Sequence, residues 1–166
     1  MTSLLKLFYF ISIFIQSYSF TNHLINFKWN YIPKKTMMNS HFSIVDTKIT
    51  DKTLLIKSLK DLNIPIIEDK NVIIKDSNSN LIETEIGIHQ NNGYHMGFVF
   101  ENNYYNLIGD LQFWEQSIPP SVFIERITKQ YSINAVIETS KEEGFTVENF
   151  VQDKNTGIIQ IELSKY

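Results

Sequence analysis

Three side chains in the middle of the sequence could do chemistry together: His89, His95 and Asp110. Two imidazoles and a carboxylate within reach of one another can ligate a divalent cation, or divide an acid and a base between them. Their spacing is not that of a helical metal motif such as His-Glu-x-x-His. They can meet only if three strands run side by side in one particular register. Gln112 and Trp114 follow Asp110 closely enough to extend the same surface.

The strands that would position them can be read around them. Ile82, Thr84, Ile86 and Ile88 alternate, as do Tyr94, Met96, Phe98 and Phe100. A two-residue Asn92-Gly93 turn would put these two sets on opposite faces. A three-residue Asn91-Asn92-Gly93 loop, with Gly93 in the left-handed region, pairs 90 with 94 and puts them on one face. Only the second register buries both rows, so it is the one expected. Asn102-Asn103 suits a two-residue primed turn that pairs 101 with 104. Tyr105, Leu107 and Leu111 then join the same apolar face.

The reverse face follows from the same register. His89 falls opposite His95, His95 opposite Asp110, and Gly87 opposite Gly97 beside Ile108. Directly opposed residues have Cβ atoms about 5 Å apart. The row admits two uses. It is a solvated sheet face on which Asp110 pairs with a partly protonated His95, or a binding surface of His89, His95, Asp110, Gln112 and Trp114. A metal held by His89, His95 and Asp110 is the alternative form of the second. The facing glycines could admit a partner backbone, but seating Ile108 is the expectation. Phe113-Trp114 suits core or rim packing better than a ligand platform.

The remaining elements complete an α+β pattern. A first strand is expected over 41–49, with Val45 and Ile49 on one face and Phe42 and Ile44 on the other. Thr50 or Asp51 can cap a helix to about Leu62, buried along Leu55, Leu59 and Leu62. Val72 to Lys75 reads as a short strand and Ser77-Asn-Ser-Asn80 as a turn. A second helix should start near Ser117-Ile-Pro-Pro120, bury Phe123, Ile127, Tyr131 and Ala135, and end at Gly144. Thr146 to Val151 and Ile158 to Leu163 make a final hairpin around residues 153–157. The expected fold is a mainly antiparallel sheet of about six to seven strands with two amphipathic helices on one face. It forms a single α+β domain over 39–166.

Charge divides the chain sharply. All 18 acidic residues lie at or after Asp46, while Lys6, Lys28, Lys34 and Lys35 precede it. Removing those four lysines leaves 11 basic against 18 acidic residues, a net charge of −7. Residues 1–19 have the order of a secretory signal: Lys6, an apolar run from Leu7 to Ile15, then small residues at Ser17 and Ser19. Residues 20–38 resemble an organelle transit stretch, basic and acid-free. Together they resemble the bipartite leaders of proteins imported into complex plastids. The secretory pathway is the alternative destination. The apolar run is too short to span a membrane, so no membrane association is expected once the leader is removed.

Several classes of function are excluded or disfavoured. The absence of cysteine rules out disulfides, thiolate metal sites and a cysteine nucleophile. The acidic balance and a single arginine argue against nucleic acid and against phosphate clamping. No Gly-rich phosphate loop or nucleophile elbow is present. No cofactor is expected.

Four stretches carry a resemblance: Ser40-His-Phe-Ser43, Asn92-Gly-Tyr-His-Met-Gly-Phe98, Asp110-Leu-Gln-Phe-Trp114, and Gln130-Tyr131 with the helix running to Gly144-Phe145. They resemble the family known as hypothetical chloroplast open reading frame thirty-five, of plastids and cyanobacteria. The resemblance implies a plastid location and a link to photosynthetic lineages. It implies no catalytic residues. The chain departs from the family by its 38 leading residues, which the leader reading accounts for. The expectation is therefore a stromal interaction or assembly factor with an unidentified protein partner. The alternative is a small metal-dependent enzyme using His89, His95 and Asp110.

Overall fold

The computed structural model describes residues 40–67, 71–153 and 158–165. The leader expected over 1–38 and most of the final hairpin's turn lie outside the described residues. Two compact units meet within the long second helix, between Asn134 and Ala135.

The first unit is built on strands β1 (Phe42–Val45), β2 (Ile66–Ile67), β5 (Ile86–Ile88), β6 (Met96–Glu101) and β7 (Tyr104–Asp110). They form one sheet in the order β1-β7-β6-β5-β2, antiparallel at every pairing. Strands β3 (Val72–Lys75) and β4 (Leu81–Thr84) form a separate two-stranded hairpin. The α+β, mainly antiparallel class holds. Among the described residues the strands number nine and are divided among a five-stranded sheet and two hairpins rather than gathered in one sheet.

The middle register is as the turn chemistry requires. Ile86 faces Phe98, Gly87 faces Gly97 and Ile88 faces Met96, while Gly93 takes φ +77°. Asn102 and Asn103 both sit at positive φ, and Glu101 pairs with Tyr104. One residue interrupts the expected alternation over Ile82–Ile88. Thr84 ends β4 opposite Val72, the Glu85 N–H donates to the Phe98 carbonyl, and Ile86 opens β5. A single alternating run thus serves two sheets.

Helix α1 (Lys52–Asp61) is capped by Asp51, whose carboxylate accepts from the Leu54 N–H at 2.8 Å. Asn63 turns the chain out at φ 55° before Pro65. Helix α2 (Pro120–Glu142) begins on a proline, where no intrahelical N–H is needed. Leu55 and Leu59 of α1 and Phe123, Ile124 and Ile127 of α2 pack on Val45, Ile86, Ile88, Phe98 and Leu107. Buried Asn134 ties the two helices, donating to Ser58 Oγ and Asp61 at 2.9 Å and accepting from Lys57 Nζ at 2.8 Å. The Asn134 bond to Asp61, with further bonds to it from Lys57 and Gln130, holds the Asp61 carboxyl below its ordinary range despite the opposing effect of burial.

The other face of the sheet is covered by the β3–β4 hairpin. Val72 and Ile74 pack with Phe42 and Ile108, and Ile44, Ile67, Ile82 and Val99 close the layer. This corrects the expectation for the glycine pair. A Cβ on Gly87 would lie 2.6 Å from Val72 Cγ1, and one on Gly97 would lie 2.6 Å from Thr84 Cβ. The glycines seat Val72 and Thr84, not Ile108.

The second unit holds the end of α2 and the hairpin β8 (Thr146–Gln152) and β9 (Ile159–Ser164). Gly144 takes φ +82°, and the Gly144 and Phe145 N–H groups donate to Lys141 and Ser140 carbonyls, which closes the helix. Ile159 and Ile161 are buried.

Gly97→Ala tests the seat. The added methyl must displace Thr84, at a cost of about 1–3 kcal/mol. The expected result is a lower urea midpoint with an unchanged slope.

Candidate functional site

The site is the end of the main sheet where β5 leaves, β6 enters and β7 finishes. Every stretch near it uses short polar side chains to hold backbone. Gln90, 3% exposed, is the fastener. Its Nε2 donates to the Tyr94 carbonyl, and its Oε1 accepts from the Glu115 N–H at 2.8 Å. Asn92 accepts from the Tyr94 N–H at 2.9 Å and donates to the Phe113 carbonyl at 2.7 Å. Tyr94 and Phe113 stack with ring centroids 3.9 Å apart. The loop Gln90–Tyr94 and the segment after β7 are thereby one rigid rim.

His89 and His95 are brought together on this rim, with ring centroids 4.9 Å apart. Gln90 N–H donates to His95 Nδ1 at 3.1 Å. The neutral ring therefore carries its proton on Nε2. Burial, then the charges of His89 and Lys75, hold the His95 pKa below the ordinary imidazole value. Lys75 lies 5.3 Å from the Tyr94 ring centroid, a cation over an aromatic face.

Asp110 has other partners. It pairs across the sheet with Phe42, is 2% exposed, and accepts from the Ser77 N–H at 2.9 Å and the Gln112 N–H at 3.1 Å. It caps the 3₁₀ turn Leu111–Phe113 and anchors the β3–β4 turn. Gln112 is exposed, with Nε2 3.1 Å from His41 Nδ1. Trp114 packs edge-on against Phe123 and donates to the Ile118 carbonyl at 2.8 Å. So the structure gathers His89 and His95, sets Gln112 beside His41, and uses Asp110 and Trp114 internally. Among the described residues, no three His, Asp or Glu side chains gather so as to hold a metal ion.

Reading the sequence missed Lys75 and Asp76. Asp76 is 1% exposed and accepts from the N–H groups of His41, Asn78 and Asn80 at 2.8–2.9 Å, from Asn80 Nδ2 at 2.8 Å and from Ser40 Oγ at 3.2 Å. Burial opposes its charge, but these bonds outweigh it and hold the carboxyl below the ordinary Asp range. The local signal was present in Asp76-Ser-Asn-Ser-Asn80, since Asp readily accepts from backbone two residues on. Its bonds to Ser40 and His41 are too distant in sequence to read.

Two outcomes follow. His95 titrates normally, near pH 6.5, in the unfolded chain and lower in the folded one. Stability should be steady above that pH and fall as acid protonates the unfolded chain first. His95→Asn, which keeps an acceptor for Gln90, should remove this part of the pH dependence, measured by urea unfolding between pH 7.5 and 5.5. Asp76→Ala should cost about 3 kcal/mol at pH 7 by stranding buried donors. That loss should shrink as pH drops through the folded Asp76 pKa, because the native carboxylate is then protonated too.

Residues 58–161 match a family described as a protein of unknown function, DUF1257. The uncharacterized protein ycf35 of Guillardia theta is 35% identical over 127 residues, covering 76% of this chain and 98% of its own length. Those of Pyropia yezoensis and Trieres chinensis are each 34% identical, covering 72% and 70% of this chain and 92% and 91% of themselves. No solved structure matches. These relatives are products of plastid genomes, which supports a plastid location here. The chain belongs to this plastid family of unknown function, the ycf35 proteins.

Proposed function

We propose that this chain is a plastid interaction or assembly factor that engages a protein partner through the sheet end bearing His89, His95 and Gln112. One observation carries the reading. A pair of imidazoles is held 4.9 Å apart on a rim braced by Gln90, Asn92 and the Tyr94–Phe113 stack. His89 is exposed, His95 is only partly buried while accepting one bond from the Gln90 N–H, and a rigid rim costs little to order on binding. Asp110 and Trp114 belong to the same surface as its supports, holding the turn and rim from behind. In this reading residues 1–38 are removed on import and the stroma is the working compartment. No helix among the described residues is long and apolar enough to cross a membrane.

The test is affinity purification of the tagged full chain from plastid extract, beside a His89→Ala/Gln112→Ala variant that spares the Gln90 bond to His95. A reproducible stoichiometric partner, lost or reduced at least about tenfold with the variant, is the expected result. A partner retained equally by both would overturn the surface assignment.

A further inference from the structure

The hairpin that covers the reverse face has an outer face of its own. Residues alternate along its strands, so Ile74 and Ile82 point to the sheet while Ile73, Lys75, Leu81 and Glu83 point away. Lys75 is directly opposite Leu81, and Ile73 is opposite Glu83. Directly opposed side chains stand about 5 Å apart, and the Ile73–Leu81 diagonal about 7 Å. Ile73 is 62% exposed and Leu81 is 66% exposed, two of the few large apolar side chains left open among the described residues. Both are β-strand positions where a polar residue would serve a solvated face as well.

Lys75 joins this face to the imidazole rim. Its ammonium lies over the Tyr94 ring, and its charge is felt by His95. Leu81, Ile73, Lys75, His89 and His95 therefore form one continuous surface, apolar at Leu81 and Ile73 with Glu83 at its far edge, and cationic or hydrogen-bond donating toward the rim. His95 presents Nε2–H because Gln90 occupies Nδ1. Lys75 supplies the positive charge and His95 a donor at the rim end of this surface, while Glu83 stands opposite Ile73 at the other end.

We propose that this surface docks a peptide segment of a partner protein in which a carboxylate side chain lies beside a large apolar one. The carboxylate meets Lys75 with His89 and His95, and the apolar side chain covers Leu81 and Ile73. The inference rests on the interaction reading above and adds the chemistry of what is bound. Apolar cover supplies most of the affinity, and the charge fixes orientation and excludes basic partners.

The experiment is selection from a random peptide library displayed on phage, using the folded full chain as bait. Individual peptides are then titrated against wild type, Lys75→Glu and Leu81→Ser. Both replaced side chains are exposed, and circular dichroism and the urea midpoint confirm that each variant folds. The expected result is enrichment of Asp or Glu next to Leu, Ile or Phe. Binding should weaken at least about tenfold with Leu81→Ser and more with Lys75→Glu. Replacing the peptide's acid by lysine should restore binding to Lys75→Glu. Selected peptides without acid enrichment, or indifferent to both variants, would overturn this inference while leaving the interaction reading standing. A library that yields no binder would overturn both. Sedimentation that shows a dimer dissolved by Lys75→Glu would identify the occupant as a second copy of the chain, contradicting the proposal.

Discussion

The close approach of a two-stranded hairpin to a sheet governs this molecule. An isolated hairpin is marginal in water, so β3 and β4 need a surface to rest on. The main sheet offers one only because Gly87 and Gly97 face each other across β5 and β6. With no Cβ at either position, Val72 and Thr84 reach the backbone, and Val72 and Ile74 close over Phe42 and Ile108. The sheet is thus covered on both sides, by helices on one and the hairpin on the other. That arrangement explains how strands as short as β2 and β5 persist.

Docking has an electrostatic consequence at the turn. Asp76 and Asp110 are both buried, and both spend their oxygens on neutral N–H and O–H donors rather than on cations. A buried carboxylate is tolerable when several donors satisfy it, and ruinous when they do not. Asp76 joins the hairpin turn to Ser40 and His41 at the entry to β1. Asp110 joins it to the exit of β7. The same placement carries Lys75 to the rim, where it meets Tyr94 and the two imidazoles. A feature of packing therefore creates the candidate binding surface.

How far this could be read from the residues depended on sequence distance. The β5–β6–β7 register followed from Gly93 and Asn102-Asn103, because local φ preferences and burial agree there. Asp51, Pro120 and Gly144 marked helix ends by equally local chemistry. The two faces of β1 were also legible, with Val45 inside one layer and Phe42 inside the other. The break at Glu85 was not, since Thr84 and Ile86 continue one alternation while serving different sheets. The destination of the hairpin was not legible either: no local rule says which surface Val72 and Thr84 will meet. Of the candidate site, His89 and His95 came together as the register required. Asp110 sat in the right strand, but its partners arrive from Ser77, 33 positions away. Nothing near Lys75 in the sequence announced its place beside them.

The hairpin is an integral layer of the fold and not a loose flap. Native-state hydrogen exchange on the wild-type chain tests this directly. The expected result is that amides of Val72–Lys75 and Leu81–Thr84 exchange only with the opening that also releases Phe98 and Leu107. Hairpin amides that exchange by a separate, much easier opening, while β6 and β7 stay protected, would contradict it.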